Sequence, residues 1–323
     1  MWSFKPAHHC PSMIKNTLIN CGGRLLDLSS PKVMGIMNLT PDSFYAGSRI
    51  QTEKEAIIRA ENILNEGGTI IDLGAYSSRP GAEHISFDEE FARLRQAMEA
   101  VCRHFPQTFI SIDTFRAEIV RRLYDEFGAF IVNDISAGEF DHEMIPEVAR
   151  LKLPYIAMHM RGTPQTMQLY TEYGNIGDEL TQYFVTKVEA LRKAGIIDLI
   201  IDPGFGFAKT IENNYQLLAQ LADLRLAGCP ILVGMSRKSM FYKPLETTAD
   251  KVLAATIAAN TIALQNGADI LRVHDVKEAT QTIAVWRWSQ DCKKEPRLQE
   301  PRMQESGLQE PRIRTATQAG LII

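Results

Sequence analysis

The sequence predicts an α/β fold: a (β/α)8 TIM barrel with an N-terminal β-hairpin and a disordered C-terminal tail. Three observations predict it. Eight short apolar or β-branched runs alternate with eight helix-period segments between residues 33 and 290. Several of the runs are apolar almost throughout, as strands covered on both faces are. The length of 323 residues suits one barrel of about 250 residues with appendages. An open doubly wound sheet is the alternative. It needs no eighth unit, and no GxGxxG follows the first run.

Residues 1–13 read as a loose leader. Residues 17–29, TLINCGGRLLDLS, are two apolar runs around Cys21-Gly22-Gly23, a hairpin signal. The barrel strands are expected at 33–37, 69–73, 109–112, 129–132, 155–158, 198–201, 230–233 and 269–273. Between them lie the helices. In 53–66, Ala56, Ile57, Ala60, Ile63 and Leu64 share one helical face, and Gly67-Gly68 follows as a stop. Segments 87–104, 115–127, 142–150, 176–194, 212–224, 248–266 and 275–290 repeat the pattern. Residues 295–314 then read EPRLQ, EPRMQ, ESGLQ, EPRIR, a five-residue repeat with no persistent apolar face, expected to pack on nothing. The division is 1–30 leader and hairpin, 31–292 barrel, 293–323 tail.

Composition narrows the function. With 35 Lys and Arg against 39 Asp and Glu the net charge is −4, so a general affinity for nucleic acid or anionic membrane has no electrostatic support. No run approaches the roughly 18 apolar residues of a membrane span. The opening MWSFKPAHHCPSMIK has no apolar core of a signal peptide. Cys10, Cys21, Cys102, Cys229 and Cys292 are scattered without a CxxC pair, which indicates neither a zinc knuckle nor a disulfide framework. A reduced, cytoplasmic protein is expected.

In a barrel the chemistry sits where the strands end. Here the first run ends in Asn38; the second contains Asp72 and ends in GAYSSRPGA; the others end in Asp113-Thr114; Asn133-Asp134; His159-Met160-Arg161; Asp202 followed by PGFGF; Gly234-Met235-Ser236-Arg237-Lys238; and Arg272-Val273-His274-Asp275. Asp134, Thr114 and Asp275 suit plain helix caps. Asp72, Asp113, Asn133 and Asp202 suit a flat, nitrogen-rich heterocycle, and Lys238 a ring carbonyl. Arg79, Arg272 and His274 read as a separate cationic set for phosphate or pyrophosphate. Cations beside a helix N-terminus oppose the helix dipole, so Arg237 and Lys238 favour an anionic or carbonyl ligand over a plain solvated helix start. One of Phe205 and Phe207 is expected to be core.

Taken together, MGIMNLTPDSF (34–44), IIDLGAYSSRPGA (70–82), SIDT (111–114), VNDIS (132–136), AMHMRGTPQTMQ (157–168), IDPGFGFAKTIENNYQLL (201–218), VGMSRKSM (233–240) and RVHDVKEA (272–279) resemble the dihydropteroate synthase family, the sulfonamide-inhibited enzymes of folate synthesis. The resemblance spans residues 17–290. It implies a dimeric barrel that condenses 6-hydroxymethyl-7,8-dihydropterin pyrophosphate with p-aminobenzoate, releasing pyrophosphate in a dissociative, SN1-like reaction. It implies that Asp113, Asn133, Met158, Asp202 and Lys238 hold the pterin, with Asp113, Asp202 and Lys238 catalytic. Asn38, Ser78, Arg79, Arg272 and His274 correspond to pyrophosphate contacts, and Asn38 to the Mg2+ ligand. Ser78, Pro80, Phe207 and Ser236 correspond to the p-aminobenzoate pocket.

Two positions depart from the family. Ser77-Ser78 stands where Ser-Thr is usual, which keeps the hydroxyl, and Ala46 stands where the first loop usually carries Asp. Two other functions fit a pterin-binding barrel. One is methyl transfer from a methylated folate to a corrinoid partner. The other is a silent pterin-binding paralogue, against which the retained polar constellation argues.

Overall fold

A computed structural model describes residues 17–39, 49–76 and 84–294. The expected leader, the repeat tail, Ala46, Ser78, Arg79 and Pro80 lie outside the described residues.

The hairpin consists of β1 (Leu18–Cys21) and β2 (Arg24–Asp27), paired antiparallel. Gly22 and Gly23 form its two-residue turn with φ of +59° and +87°, the left-handed pair that a tight hairpin requires and that side chains resist. A Cβ on Gly22 would also lie 2.6 Å from the Ala129 Cβ.

Eight parallel strands follow: β3 (Lys32–Asn38), β4 (Ile70–Gly74), β5 (Phe109–Asp113), β6 (Ile131–Asp134), β7 (Tyr155–Met158), β8 (Leu199–Asp202), β9 (Leu232–Val233) and β10 (Ile270–Val273). They pair in the order β8-β7-β6-β5-β4-β3-β10-β9, and a bridge from Ile201 to Ile231 joins the two ends. The strands are thus a closed barrel. The expected strand 230–233 is shortened to β9, because Pro230 has no N–H and the Ile231 N–H donates to the Asp269 carboxylate at 2.8 Å.

The connecting helices are α1 (Arg49–Asn65), α2 (Phe87–His104), α3 (Ala117–Phe127), α4 (Met144–Leu151), α5 (Ile176–Lys193), α6 (Ile211–Ala219), the short α7 (Ser239–Tyr242), α8 (Leu253–Gln265) and α9 (Val276–Lys294). Two expected helices are split: 3-10 turns at Leu221–Ala227 and Ala249–Lys251 take the end of one and the start of the other. The four-residue α7 was not expected, since one turn is too short to show a period.

Side chains alternate faces along a strand, and this places the site. Met34, Ile70, Ile131, Ile156, Ile200, Leu232 and Ile270 meet inside the lower barrel, where Ile19, Cys21, Leu26 and Leu28 of the hairpin close it. Two residues further up the same strands stand Ile36, Asp72, Asn133, Met158, Asp202, Gly234 and Arg272, with Ser111 on β5. One step along the pleat the wholly apolar lining gives way to one that carries Asp72, Asp202, Arg272, Asn133 and Ser111 beside Ile36, Met158 and Gly234. A larger apolar cluster fills the space between strands and helices. No described helix is long and apolar enough to cross a membrane.

Candidate active site

At the top of the barrel Arg272 lies between two carboxylates. Its Nε donates to Asp72 Oδ2 at 2.7 Å and its Nη2 to Asp113 Oδ2 at 2.7 Å, with Asp72 Oδ2 at 2.6 Å from the same nitrogen. Asn133 Nδ2 donates to Asp72 Oδ1 at 3.3 Å. Asp72 is wholly buried, while the Asp113 side chain keeps 21% of its exposure. Asp72 therefore acts as the anchor, and Asp113 is the member that also faces the opening. Burial pushes the Asp113 carboxyl above its ordinary range and Asp72 adds to this, while Arg272 opposes it. Burial works against the Arg272 charge too, but the two carboxylates outweigh it and hold the guanidinium protonated. The expectation of a cationic set separate from the carboxylates does not describe Arg272.

The turn after β8 carries the next group. Gly204 N–H donates to Asp202 Oδ1 at 2.8 Å and Gly206 N–H to Asn214 Oδ1 at 2.7 Å. Gly204 and Gly206 have φ of +69° and +81°, and a Cβ on Gly204 would come within 2.1 Å of the His159 carbonyl oxygen. Only glycine fits there. Lys238 Nζ donates to the Phe205 carbonyl and stands 4.5 Å from the centre of the Phe207 ring, a cation–π distance. Burial brings the Lys238 ammonium down to about 8, against the pull of Asp202. Burial likewise raises Asp202, which the Gly204 N–H and then Lys238 counter. Phe205 is core and Phe207 is partly exposed, so one of the pair packs and the other faces the opening.

The ends of β9 and β10 are tied together. Ser236 Oγ lies 3.0 Å from His274 Nδ1 and accepts from the His274 N–H at 3.3 Å. Arg237 donates through Nε and Nη2 to the two Asp275 oxygens at 2.9 and 2.6 Å, and through Nη1 to the carbonyls of Ala249 and Asp250. Arg237 holds φ +57°, a strained value that these bonds over-determine. Asp275, expected as a helix cap, is the partner of Arg237, and Arg237 is not a solvated helix start. Asp134 and Thr114 do accept from backbone N–H groups two residues on, at 2.7 and 3.2 Å. They serve the local turns rather than helix ends. Met158 is buried beneath the opening beside Gly204, and Asn38 is the exposed last residue of β3.

The family described as pterin binding enzyme matches residues 34–274. The dihydropteroate synthase of Escherichia coli strain K12 is 40% identical over 279 residues, covering 86% of this chain and 98% of that protein. This chain belongs to the dihydropteroate synthase family. The Synechocystis enzyme of that name is 42% identical over 284 residues, covering 86% of this chain and 96% of that protein. Among solved structures, the Yersinia pestis dihydropteroate synthase with a sulfonamide drug complex has a TM-score of 0.78 at 37% identity, covering 85% of this chain and 99% of that one. The Xanthomonas albilineans dihydropteroate synthase with 4-aminobenzoic acid has 0.77 at 35%, covering 85% and 98%.

Against this dihydropteroate synthase fold the expected residues fall into three sets. Asp113, Asn133, Met158, Asp202, Lys238, Phe207, Ser236, Arg272 and His274 all come from the upper ends of β5 to β10 or the turns just beyond them. Asn38 stands at the top of β3. Ser78, Arg79 and Pro80 fall in the segment that is not described. Sequence reasoning gave no role to Lys209 or Arg59. Lys209 is buried behind the turn after β8, and Arg59 reaches from α1 to the carbonyls of Ile36 and His274, each at 3.1 Å. Neither sits directly after a strand, so the rule that found the others passed over them.

Proposed function

We propose that the chain condenses 6-hydroxymethyl-7,8-dihydropterin pyrophosphate with p-aminobenzoate to give 7,8-dihydropteroate and pyrophosphate, the transferase step of folate synthesis. The observation that supports it most is the barrel mouth, where Asp113, Asn133, Asp202 and Lys238 meet Arg272 and His274 in a member of the dihydropteroate synthase family. Asp113 and Asp202 accept from the amino group and ring N–H of the pterin, and Asn133 offers an amide to the same ring. Lys238 donates to the ring carbonyl, with Met158 beneath it. Arg272 and His274 serve the pyrophosphate, a role that the family resemblance also assigns to Ser78 and Arg79. Phe207, Pro80, Ser78 and Ser236 receive the arylamine.

The chemistry follows from these charges. The bond from the pterin methylene to pyrophosphate oxygen breaks, and positive charge spreads over an electron-rich ring. Carboxylates fixed where that charge appears stabilise it. Arg272 and His274 hold the departing oxygens. The arylamine nitrogen then forms its bond to the methylene and loses a proton afterwards, so no base is required before attack. Asn38 would hold Mg2+, and its neutral amide oxygen fits an ion that keeps waters and takes most of its ligands from substrate phosphate. When bound, that ion supplies further charge neutralisation for pyrophosphate.

The chain is also proposed to work as a cytoplasmic homodimer. Ile262 on α8 and Val285 and Trp288 on α9 are 43%, 61% and 67% exposed, and α8 packs beside α9. Exposed apolar groups on two helices that pack side by side suit a protein interface. Sedimentation at micromolar concentration tests it, and a monomer would overturn it. For the reaction, purified protein is incubated with Mg2+, the pterin pyrophosphate and p-aminobenzoate. Dihydropteroate and one equivalent of pyrophosphate are expected. Methyl transfer from a methylated folate to a corrinoid protein, without that product, would overturn the reading.

A further inference from the structure

Lys209 has no part in the chemistry above, and its surroundings are too complete to be incidental. It is 4% exposed. Its Nζ lies 3.1 Å from the Gly204 carbonyl, 3.0 Å from the Phe207 carbonyl and 3.2 Å from His159 Nδ1. An ammonium has three N–H bonds, and here are three acceptors. His159 must accept through Nδ1, so its ring is neutral with the proton on Nε2. Its surroundings enforce this: burial, followed by the charges of Lys209 and Arg161, brings the imidazole down to about 2. The ring is fixed edge-on against Tyr183, with centroids 4.8 Å apart. Tyr173 Oη then donates to the Ala208 carbonyl at 3.0 Å, and Ala208 holds φ +49°.

The carbonyls that Lys209 holds belong to the turn that cradles Lys238. Between Gly204 and Phe207 lie the Phe205 carbonyl, which accepts from Lys238, and Gly206, where a Cβ would come within 2.9 Å of Lys238 Cδ. The Phe207 ring closes the cradle. The turn is gripped from behind by one lysine while it grips another in front.

We propose that Lys209 is a positioning residue for substrate binding. Its ammonium fixes the Gly204–Phe207 turn, and through that turn it sets both the place of Lys238 and the tilt of the Phe207 ring. The inference rests on the reading that Lys238 and Phe207 touch the two substrates. The buried ammonium is costly on its own: burial lowers Lys209 to about 7, with Asp202 opposing. The fold retains it where an apolar side chain would leave two carbonyls and an imidazole nitrogen without a donor.

The test is steady-state kinetics of the full chain carrying Lys209→Met, with Lys209→Arg as the conservative variant and Lys238→Ala as the control for the site. For Lys209→Met the KM values for the pterin pyrophosphate and for p-aminobenzoate are expected to rise about tenfold, with a smaller change in kcat. Lys209→Arg is expected to recover most of the loss. A merely structural role lowers the amount of active enzyme, hence kcat, and leaves both KM values at the wild-type level; that result overturns the proposal. If Lys209→Met does not fold, Lys209→Gln, which keeps two N–H donors, carries the same readout. Failure of both to fold also overturns the proposal, since the lysine would then be a requirement of the fold itself. Wild-type kinetics in Lys238→Ala would instead remove the site reading on which the inference rests.

Discussion

The two ends of the barrel are built on the same strands and differ by one step of the pleat. At the lower end Met34, Ile70, Ile131, Ile156, Ile200, Leu232 and Ile270 meet the hairpin and exclude water. At the upper end Asp72, Asp113, Asp202, Arg272 and Lys238 occupy the same barrel, each with its partner. The lower end is held by apolar area, which is indifferent to direction. The upper end is held by hydrogen bonds and ion pairs, which fail if one member moves. Left-handed backbone at non-glycine residues is found at both ends: at the lower end Lys152 holds φ +54° in the turn that enters β7. Ala137, Ala208 and Arg237 hold positive φ in turns just above β6, β8 and β9. The comparison teaches that this chain separates where it is stabilised from where it is poised to act.

Substitutions can break or sharpen that separation. The largest effect is expected for Arg272→Leu, which leaves buried Asp72 and its neighbour Asp113 without their counter-ion. Stability should fall by about 3–5 kcal/mol, read from urea unfolding; a loss below 1 kcal/mol would mean that the upper end does not depend on the pair. At the other end Ile19→Ala should cost about 2–4 kcal/mol through the cavity it leaves. Both KM values should stay as they are, and a shift in either would join the two ends functionally. Lys238→Ala inverts the pattern: kcat/KM should drop about 10- to 100-fold, the worth of a charged hydrogen bond, with the melting temperature nearly unchanged. Wild-type kcat/KM would take Lys238 out of the site.

The smallest effect is a pH slope. The folded chain keeps His159 neutral down to about 2, whereas the ordinary imidazole takes its proton at 6.5. Below pH 6.5 the unfolded chain therefore binds a proton that the folded chain refuses, and the His159 contribution to stability falls as pH falls, opposite in sign to that of Asp113, whose raised carboxyl takes its proton in the folded chain first. Between pH 6.5 and about pH 5 this amounts to about 2 kcal/mol. His159→Gln keeps an acceptor for Lys209 and should lose that part of the slope. An unchanged slope would show that His159 is protonated in the folded state.

Much of this was legible in the sequence, and the reason is local. Each barrel strand is a buried run whose pattern needs no distant information, and Asp113, Asn133, Asp202, Lys238, Arg272 and His274 stand on or just beyond those runs. What could not be read was pairing. Arg272 belongs with Asp72 and Asp113 only because barrel closure sets β10 beside β3, with β4 and β5 beyond. Arg237 finds Asp275 because β9 and β10 pair side by side and bring their ends together. The shortness of β9 depends on the Asp269 carboxylate taking the Ile231 N–H. Lys209 was invisible because nothing in GFGFAKT tells a lysine facing water from one enclosed by three acceptors.

Barrel closure has one further consequence. Most neighbouring strands share three to five paired residues, whereas β8 meets the segment before β9 through the single Ile201–Ile231 bridge. A cylinder rolled from a ribbon has a seam, and here the seam runs up to the gap between Asp202 and the Gly234–Lys238 turn. Amide hydrogens of residues 231–233 should exchange with solvent sooner than those of β3 and β4, which are flanked on both sides. Occupancy of the barrel mouth by a ligand reaching both Asp202 and Lys238 should slow that exchange, because such a ligand staples the two edges of the seam.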